Sequence, residues 1–159
     1  MWYIIVMNNT LYITVGLPGS GKSTYVKNYV DNSKQTGLYL SSDELRAKFG
    51  KGETDQTCTN QVFYHIKQKI DEILKDKNDG YLIIDATSIN KKNRREYIQL
   101  AKKNKSKIVA WVFERNRDIL VDRNKNRDRV VPIWVIDRMI SQYEKPTLDE
   151  GFDEVIDIP

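Results

Sequence analysis

At 159 residues, with 40% hydrophobic and 30% charged residues, the chain is long enough for one core and too apolar for a disordered segment. Cys58 is the only cysteine and His65 the only histidine, which excludes an internal disulfide and argues against a Cys/His zinc site. The formal charge of +4 suits a polyanionic partner without requiring one.

The opening "MWYIIVMNNT" has no basic leader and falls short of the ~20 apolar residues a membrane span needs, so a cytoplasmic protein with no membrane partner is expected. "LYITVG" (11–16) then predicts a short β-strand, and after a glycine-rich turn "KSTYVKNYV" repeats Tyr25, Val26, Tyr29 and Val30 at helical spacing. "GLYLSSDELR" predicts a second strand ending near Ser41, with Ser42 or Asp43 as the N-cap of a helix. From Gln61 to Lys75 an apolar stripe of period near 3.6 predicts a packed helix, on which His65 is expected to face solvent. "YLIID" (81–85) and "KIVAWVF" (107–113) are nearly continuous apolar runs, as strands covered on both faces require. Between them "NKKNRREYIQLAKKN" predicts an amphipathic helix with a solvated basic face. "RDILVDRNKNR" predicts a helix running into a basic segment, Pro132 opens another at its first turn, and "FDEVIDI" closes as a strand. Trp2, Trp111 and Trp134 are assigned to core or surface packing. The alternation predicts an α/β fold of P-loop type across one domain, 1–159: a parallel sheet of about five strands, helices on both faces, and an arginine-bearing lid near 115–131.

"GLPGSGKST" (16–24) fits the P-loop pattern G-x-x-x-x-G-K-[ST] in the required context, between a strand and a helix. Glycines turn backbone N–H groups inward, and the helix N-terminus adds partial positive charge, so Gly16, Pro18, Gly19, Ser20, Gly21 and Thr24 are expected to cradle the phosphates of ATP or another nucleoside triphosphate. Lys22 reaches the β and γ phosphates, and the Ser23 hydroxyl meets Mg²⁺. Asp85, at a strand's carboxyl end, suits a carboxylate that serves the metal or orients Ser23; it could instead cap the next helix. No N-K-x-D guanine-recognition sequence is present.

A P-loop alone leaves the second substrate open. Asp43 and Arg46 lie three residues apart on a first helical turn, where a carboxylate can take a hydroxyl's proton and a guanidinium can grip a phosphate. The same spacing suits a plain surface ion pair. In "DRNKNRDR", Arg123 and Arg127 would share a face of a continuing helix and stabilise charge on the transferring phosphoryl group, unless the run is only a solvated basic face.

Taken together, "GLPGSGKST", "SSDELR", "GETDQTCTNQVF", "IIDATSINKKNRREYIQLAKK", "DRNKNRDR" and "EGFDEV" resemble the bacteriophage and bacterial polynucleotide 5′-kinases, above all the kinase domain of bacterial RNA end-healing and sealing enzymes, over nearly the whole chain. The resemblance implies transfer of the ATP γ-phosphate to the 5′-hydroxyl of RNA or DNA. It implies Asp43 as general base, Arg46 as clamp on the acceptor's 3′-phosphate, and Arg123 and Arg127 as lid arginines over the phosphates and adenosine. Thr87 and Val131 would touch the acceptor nucleotide. The D-x-D-G-T motif of an attached phosphatase is absent, which implies a kinase standing alone or one part of a split repair system, with separate phosphatase or ligase proteins as partners. The aspartate of "IIDATS" stands one position earlier than in some phage relatives, leaving its role open. Two other readings share these residues: a P-loop kinase acting on a small-molecule hydroxyl, and a nucleotide-dependent nucleic-acid-binding module without catalysis.

Overall fold

Strand β1 (Thr10–Val15) is the middle of a five-stranded, all-parallel sheet in the order β2-β3-β1-β4-β5. Its neighbours are β3 (Tyr81–Asp85) and β4 (Lys107–Val112), with β2 (Gly37–Ser41) and β5 (Glu154–Asp157) at the edges. The computed structural model describes residues 9–76 and 80–159; the first eight residues of the opening run, Trp2 among them, lie outside the described residues.

Parallel strands need crossovers, and helices α1 (Lys22–Asn32), α2 (Ser42–Phe49), α3 (Thr59–Lys75) and α4 (Lys91–Lys103) supply them. α5 (Arg117–Lys125) and α6 (Ile133–Gln142) follow β4, and a 3₁₀ turn at Leu148–Glu150 leads into β5. Period-two alternation sorts the sheet's side chains. Leu11, Ile13, Leu82, Ile84, Ile108 and Ala110 join Val62, Ile66, Ile70 and Tyr97 of α3 and α4 on one face. Ile83, Val109 and Trp111 pack with Val26 of α1 on the other, where Trp111 stacks on Tyr12 at 4.4 Å. A third cluster of Leu17, Ile89, Leu120 and Ile136 holds α5 and α6 against the loop after β1.

Several boundaries differ from expectation for local reasons. Ser41 itself, not Ser42 or Asp43, caps α2 by accepting the Glu44 N–H at 3.3 Å, because β2 runs straight into the helix. α3 begins at Thr59, after Cys58. Pro132 occupies the N-cap of α6 rather than its first turn. His65 is half-buried with its ring against Phe49 at 5.2 Å, and Trp134 is exposed beneath the Arg138 guanidinium. On α4 the basic face is not wholly solvated: Arg94 is fully buried. Among the described residues no helix is long and apolar enough to cross a membrane.

Candidate nucleotide and acceptor site

The sheet order places the carboxyl ends of β2, β3 and β1 side by side, with Ser41 in register with Asp85. The residues that follow each strand therefore converge on one cleft of about 1570 Å³. Topology alone brings the glycine-rich loop, Asp85 and Asp43 together.

The loop from Gly16 to Gly21 leaves β1 and enters α1 through two left-handed residues, Gly19 at φ 84° and Gly21 at φ 98°. A side chain at either position would strain the backbone, and a Cβ on Gly19 would also stand 2.9 Å from the Leu120 carbonyl of α5. Gly16 donates its N–H to the Thr87 carbonyl at 3.0 Å, tying the loop to the chain that leaves β3. The Lys22 ammonium donates to the Leu17 carbonyl at 2.9 Å, folded back over its own loop. Withdrawal from water lowers its pKa from a lysine's usual 10.5 to about 8; Asp85 and Asp43 raise it and Arg127 lowers it.

Asp85 is buried and gathers hydroxyls. It accepts from Ser23 Oγ at 2.6 Å and from the Tyr39 phenol at 3.1 Å, both on Oδ2. Thr14 Oγ1 lies 3.3 Å from Oδ1 while bonding both the N–H and the carbonyl of Ala86, which fixes the exit of β3. Burial, and then the Asp85 charge, pushes the Tyr39 phenol up, so it stays a donor. Asp85 caps no helix, since Asn90 caps α4 by accepting the Asn93 N–H.

Across the cleft, Asp43 Oδ1 accepts from Arg46 Nη1 at 2.7 Å and forms an ion pair with Arg129, whose Nη1 lies 3.1 Å away. Arg46 is largely enclosed, at 12% side-chain exposure, and its Nε is buried without a hydrogen-bond partner among the described residues. Arg127 Nη1 is in the same condition. Both arginines line the cleft, and an unmet buried donor costs ~1–3 kcal/mol, so a rearrangement that gave these N–H groups an anion would be favoured. Thr24, Thr87, Arg123 and Val131 also line the cleft, so every site residue expected from the sequence borders it or the loop at its floor.

The lid arginines do not share a helical face. α5 ends at Lys125, and Arg127 sits in the turn beyond, its N–H donating to the Asn124 carbonyl at 3.3 Å. Asn124 causes the reversal. Its buried amide donates to the Val131 carbonyl at 2.7 Å and accepts the Val131 N–H at 3.0 Å, closing residues 124–131 into a strap. Asn124 and Tyr39 were not singled out as site residues in the sequence, and Arg129 stood out only as one cation of the basic run "DRNKNRDR", with no role of its own.

The arrangement fits a magnesium-bound triphosphate. The Lys22 ammonium and the Arg127 guanidinium are cations suited to phosphate oxygens, and the Ser23 hydroxyl next to Asp85 offers a ligand position. No cluster of three or more His, Cys, Asp or Glu suited to a metal occurs among the described residues. Magnesium at such loops draws on one or two protein groups and on phosphates and water, so none is needed.

A central parallel strand, a glycine loop with Lys-Ser at the helix start and a carboxylate on the adjacent strand define a P-loop protein. The chain belongs to the AAA_33 family, described as an AAA domain, which it matches over residues 11–146. A curated relative, the L-seryl-tRNA(Sec) kinase of Methanococcus maripaludis, is 25% identical over 148 residues, covering 90% of this chain and 56% of the relative. The chain thus spans little more than half of that protein's length. Among solved structures, a chain of the Pnkp1/Rnl/Hen1 RNA repair complex superposes with a TM-score of 0.74 at 21% identity, covering 88% of this chain and 45% of that one. Chaetomium thermophilum Kti12 in complex with ADP-AlF3 gives 0.68 at 16% identity, covering 93% and 88%. The structural likenesses establish the shared P-loop fold.

Proposed function

We propose that the protein is a polynucleotide 5′-kinase, transferring the γ-phosphoryl group of ATP to the 5′-hydroxyl of an RNA or DNA end. The observation that carries this reading is the Asp43–Arg46 pair. A carboxylate on the first turn of α2 and, three residues on, a largely enclosed guanidinium whose Nε has no partner among the described residues line the same cleft as Lys22 and Ser23. Nucleotide hydrolysis alone has no use for a phosphate-gripping arginine beside a base.

In this reading bound MgATP supplies the phosphoryl group and the charge neutralisation its transfer needs. Lys22, Arg127 and Arg123 bind the phosphates, while Ser23 and Asp85 hold the metal position. Arg46 grips the phosphate on the 3′ side of the terminal nucleoside and so aims its 5′-hydroxyl. Asp43 takes the proton of that hydroxyl as its oxygen forms the new P–O bond and the bond to ADP breaks. Thr87 and Val131 flank the terminal nucleotide. The size of the cleft, about 1570 Å³, and the polar residues Thr54, Gln56, Asn60, Lys92 and Asn93 that line it besides Asp43 support a chain rather than a lone sugar. A solved relative of this fold sits in an RNA repair complex, which supports separate end-processing proteins as partners.

Incubation with ATP labelled in the γ-phosphate and with 5′-hydroxyl or 5′-phosphate oligonucleotides tests the proposal. Label should enter only the 5′-hydroxyl strand; equal or absent labelling overturns it. The relative named for seryl-tRNA(Sec) supports a second reading, a different hydroxyl carried by RNA, and seryl-tRNA in the same panel separates the two. Labelling of free nucleosides or sugars in preference to both would mark a small-molecule kinase.

A further inference from the structure

Arg129 has no role in the scheme above, yet it reaches the reacting carboxylate. Its Nη1 lies 3.1 Å from Asp43 Oδ1, the oxygen that already accepts Arg46, and it also donates to the Glu53 carbonyl at 3.0 Å. It therefore joins three segments: the strap that Asn124 closes, the first turn of α2, and the loop between α2 and α3. With one guanidinium donating to it and a second held against it as an ion pair, the Asp43 carboxylate is less available to a hydroxyl proton.

We propose that Arg129 is a specificity residue that latches Asp43 until a second acceptor phosphate draws its guanidinium away, making the base available to polynucleotides in preference to mononucleotides. This rests on the kinase reading. In that reading Arg46, which lines the cleft, already accounts for one phosphate. An acceptor with a single phosphate satisfies Arg46 and leaves the latch shut. A longer acceptor brings its next phosphodiester along the cleft toward Arg129, which is 25% exposed and can exchange a carboxylate for a phosphate without moving far. The exchange trades one charge-assisted pair for another, so it is set by the acceptor's length and not by its sequence.

The test compares a nucleoside 3′-monophosphate with a 5′-hydroxyl oligonucleotide of several phosphates as acceptors for the intact protein, Arg129→Ala and Arg129→Lys. The wild type should favour the oligonucleotide in kcat/KM. Arg129→Ala should lower that preference roughly tenfold or more, the scale of one charge-assisted hydrogen bond. Part of the change should be a higher kcat on the monophosphate, because the base is no longer held; part should be a higher KM for the oligonucleotide. Arg129→Lys, which keeps the charge, should retain much of the preference. An unchanged preference in an active Arg129→Ala enzyme, or an equal fall on both acceptors, overturns the latch and leaves the kinase reading standing. A wild type that phosphorylates neither acceptor overturns both.

Discussion

Arg94 and Glu150, 56 residues apart, form a two-pronged ion pair with contacts of 2.8 and 2.7 Å and side-chain exposures of only 0% and 8%. The third prong of the guanidinium donates to the Ser88 carbonyl at 3.0 Å, in the loop that carries Thr87 along the cleft. Glu150 also accepts the Thr147 N–H in a capping box, so the closing turn, α4 and the cleft loop share one buried charge pair. Breaking such a pair from one side leaves an uncompensated buried charge, which typically costs ~3–5 kcal/mol. Glu150→Ala should therefore lower unfolding stability by about that much in urea titrations, and Arg94→Met with Glu150→Leu together should cost clearly less than Glu150→Ala alone. A loss below ~1 kcal/mol for Glu150→Ala would show that the pair is solvated.

On the kinase reading, substitution of Asp43 should separate chemistry from nucleotide binding. Removing a general base commonly lowers turnover by about 10² to 10⁴, whereas the loop that grips the triphosphate lies on another strand. Asp43→Ala should lower kcat at least ~100-fold while the dissociation constant for ATP stays within a few-fold. Steady-state transfer assays paired with calorimetric nucleotide titration check both halves, and unchanged turnover removes Asp43 from the reaction.

Lys22 sets an alkaline limit on nucleotide affinity. With its pKa at about 8, free Lys22 loses its proton as pH rises through that value, but a bound triphosphate favours the ammonium. The direction follows: affinity is insensitive to this group below pH about 8 and falls above it, and binding there takes up a proton. Titrations around pH 9 in two buffers of different ionisation enthalpy should show uptake approaching one proton, absent in Lys22→Met. The phosphate oxygens are already fully ionised at that pH and do not contribute.

Much of this site was legible because the loop chemistry is local. Gly16 to Thr24 declares its phosphate role by spacing alone, and β3 and β4 declare themselves as runs buried on both faces. Even Asp43 could be placed, since a strand end and a helix start are both short-range features. What escaped depends on partners far along the chain. The Arg94 side chain looked like part of a solvated basic face until Glu150 was seen to meet it. The helix carrying Arg123 looked continuous, because nothing in "DRNKNRDR" says that Asn124 turns inward to bind Val131. Tyr39 looked like any strand aromatic, and only the pairing of β2 with β3 sets it over Asp85.

That inward turn makes the strap a test of whether the lid is held or merely tethered. Asn124 meets both backbone groups of Val131, so no other side chain replaces it: Asp keeps the acceptor for the Val131 N–H but sets a carboxylate against the Val131 carbonyl, and Ala keeps neither. Two lost hydrogen bonds would cost ~1–3 kcal/mol of stability, which denaturation measures directly. On the kinase reading the larger effect should fall on Arg127, whose place in the cleft depends on the closed turn. Asn124→Ala is expected to reduce kcat/KM for ATP by roughly tenfold or more. In an Arg127→Ala background the same change should have much less effect on kcat/KM, because its route to the phosphates is already gone. Full additivity would mean that Asn124 serves the fold and leaves the lid to position itself.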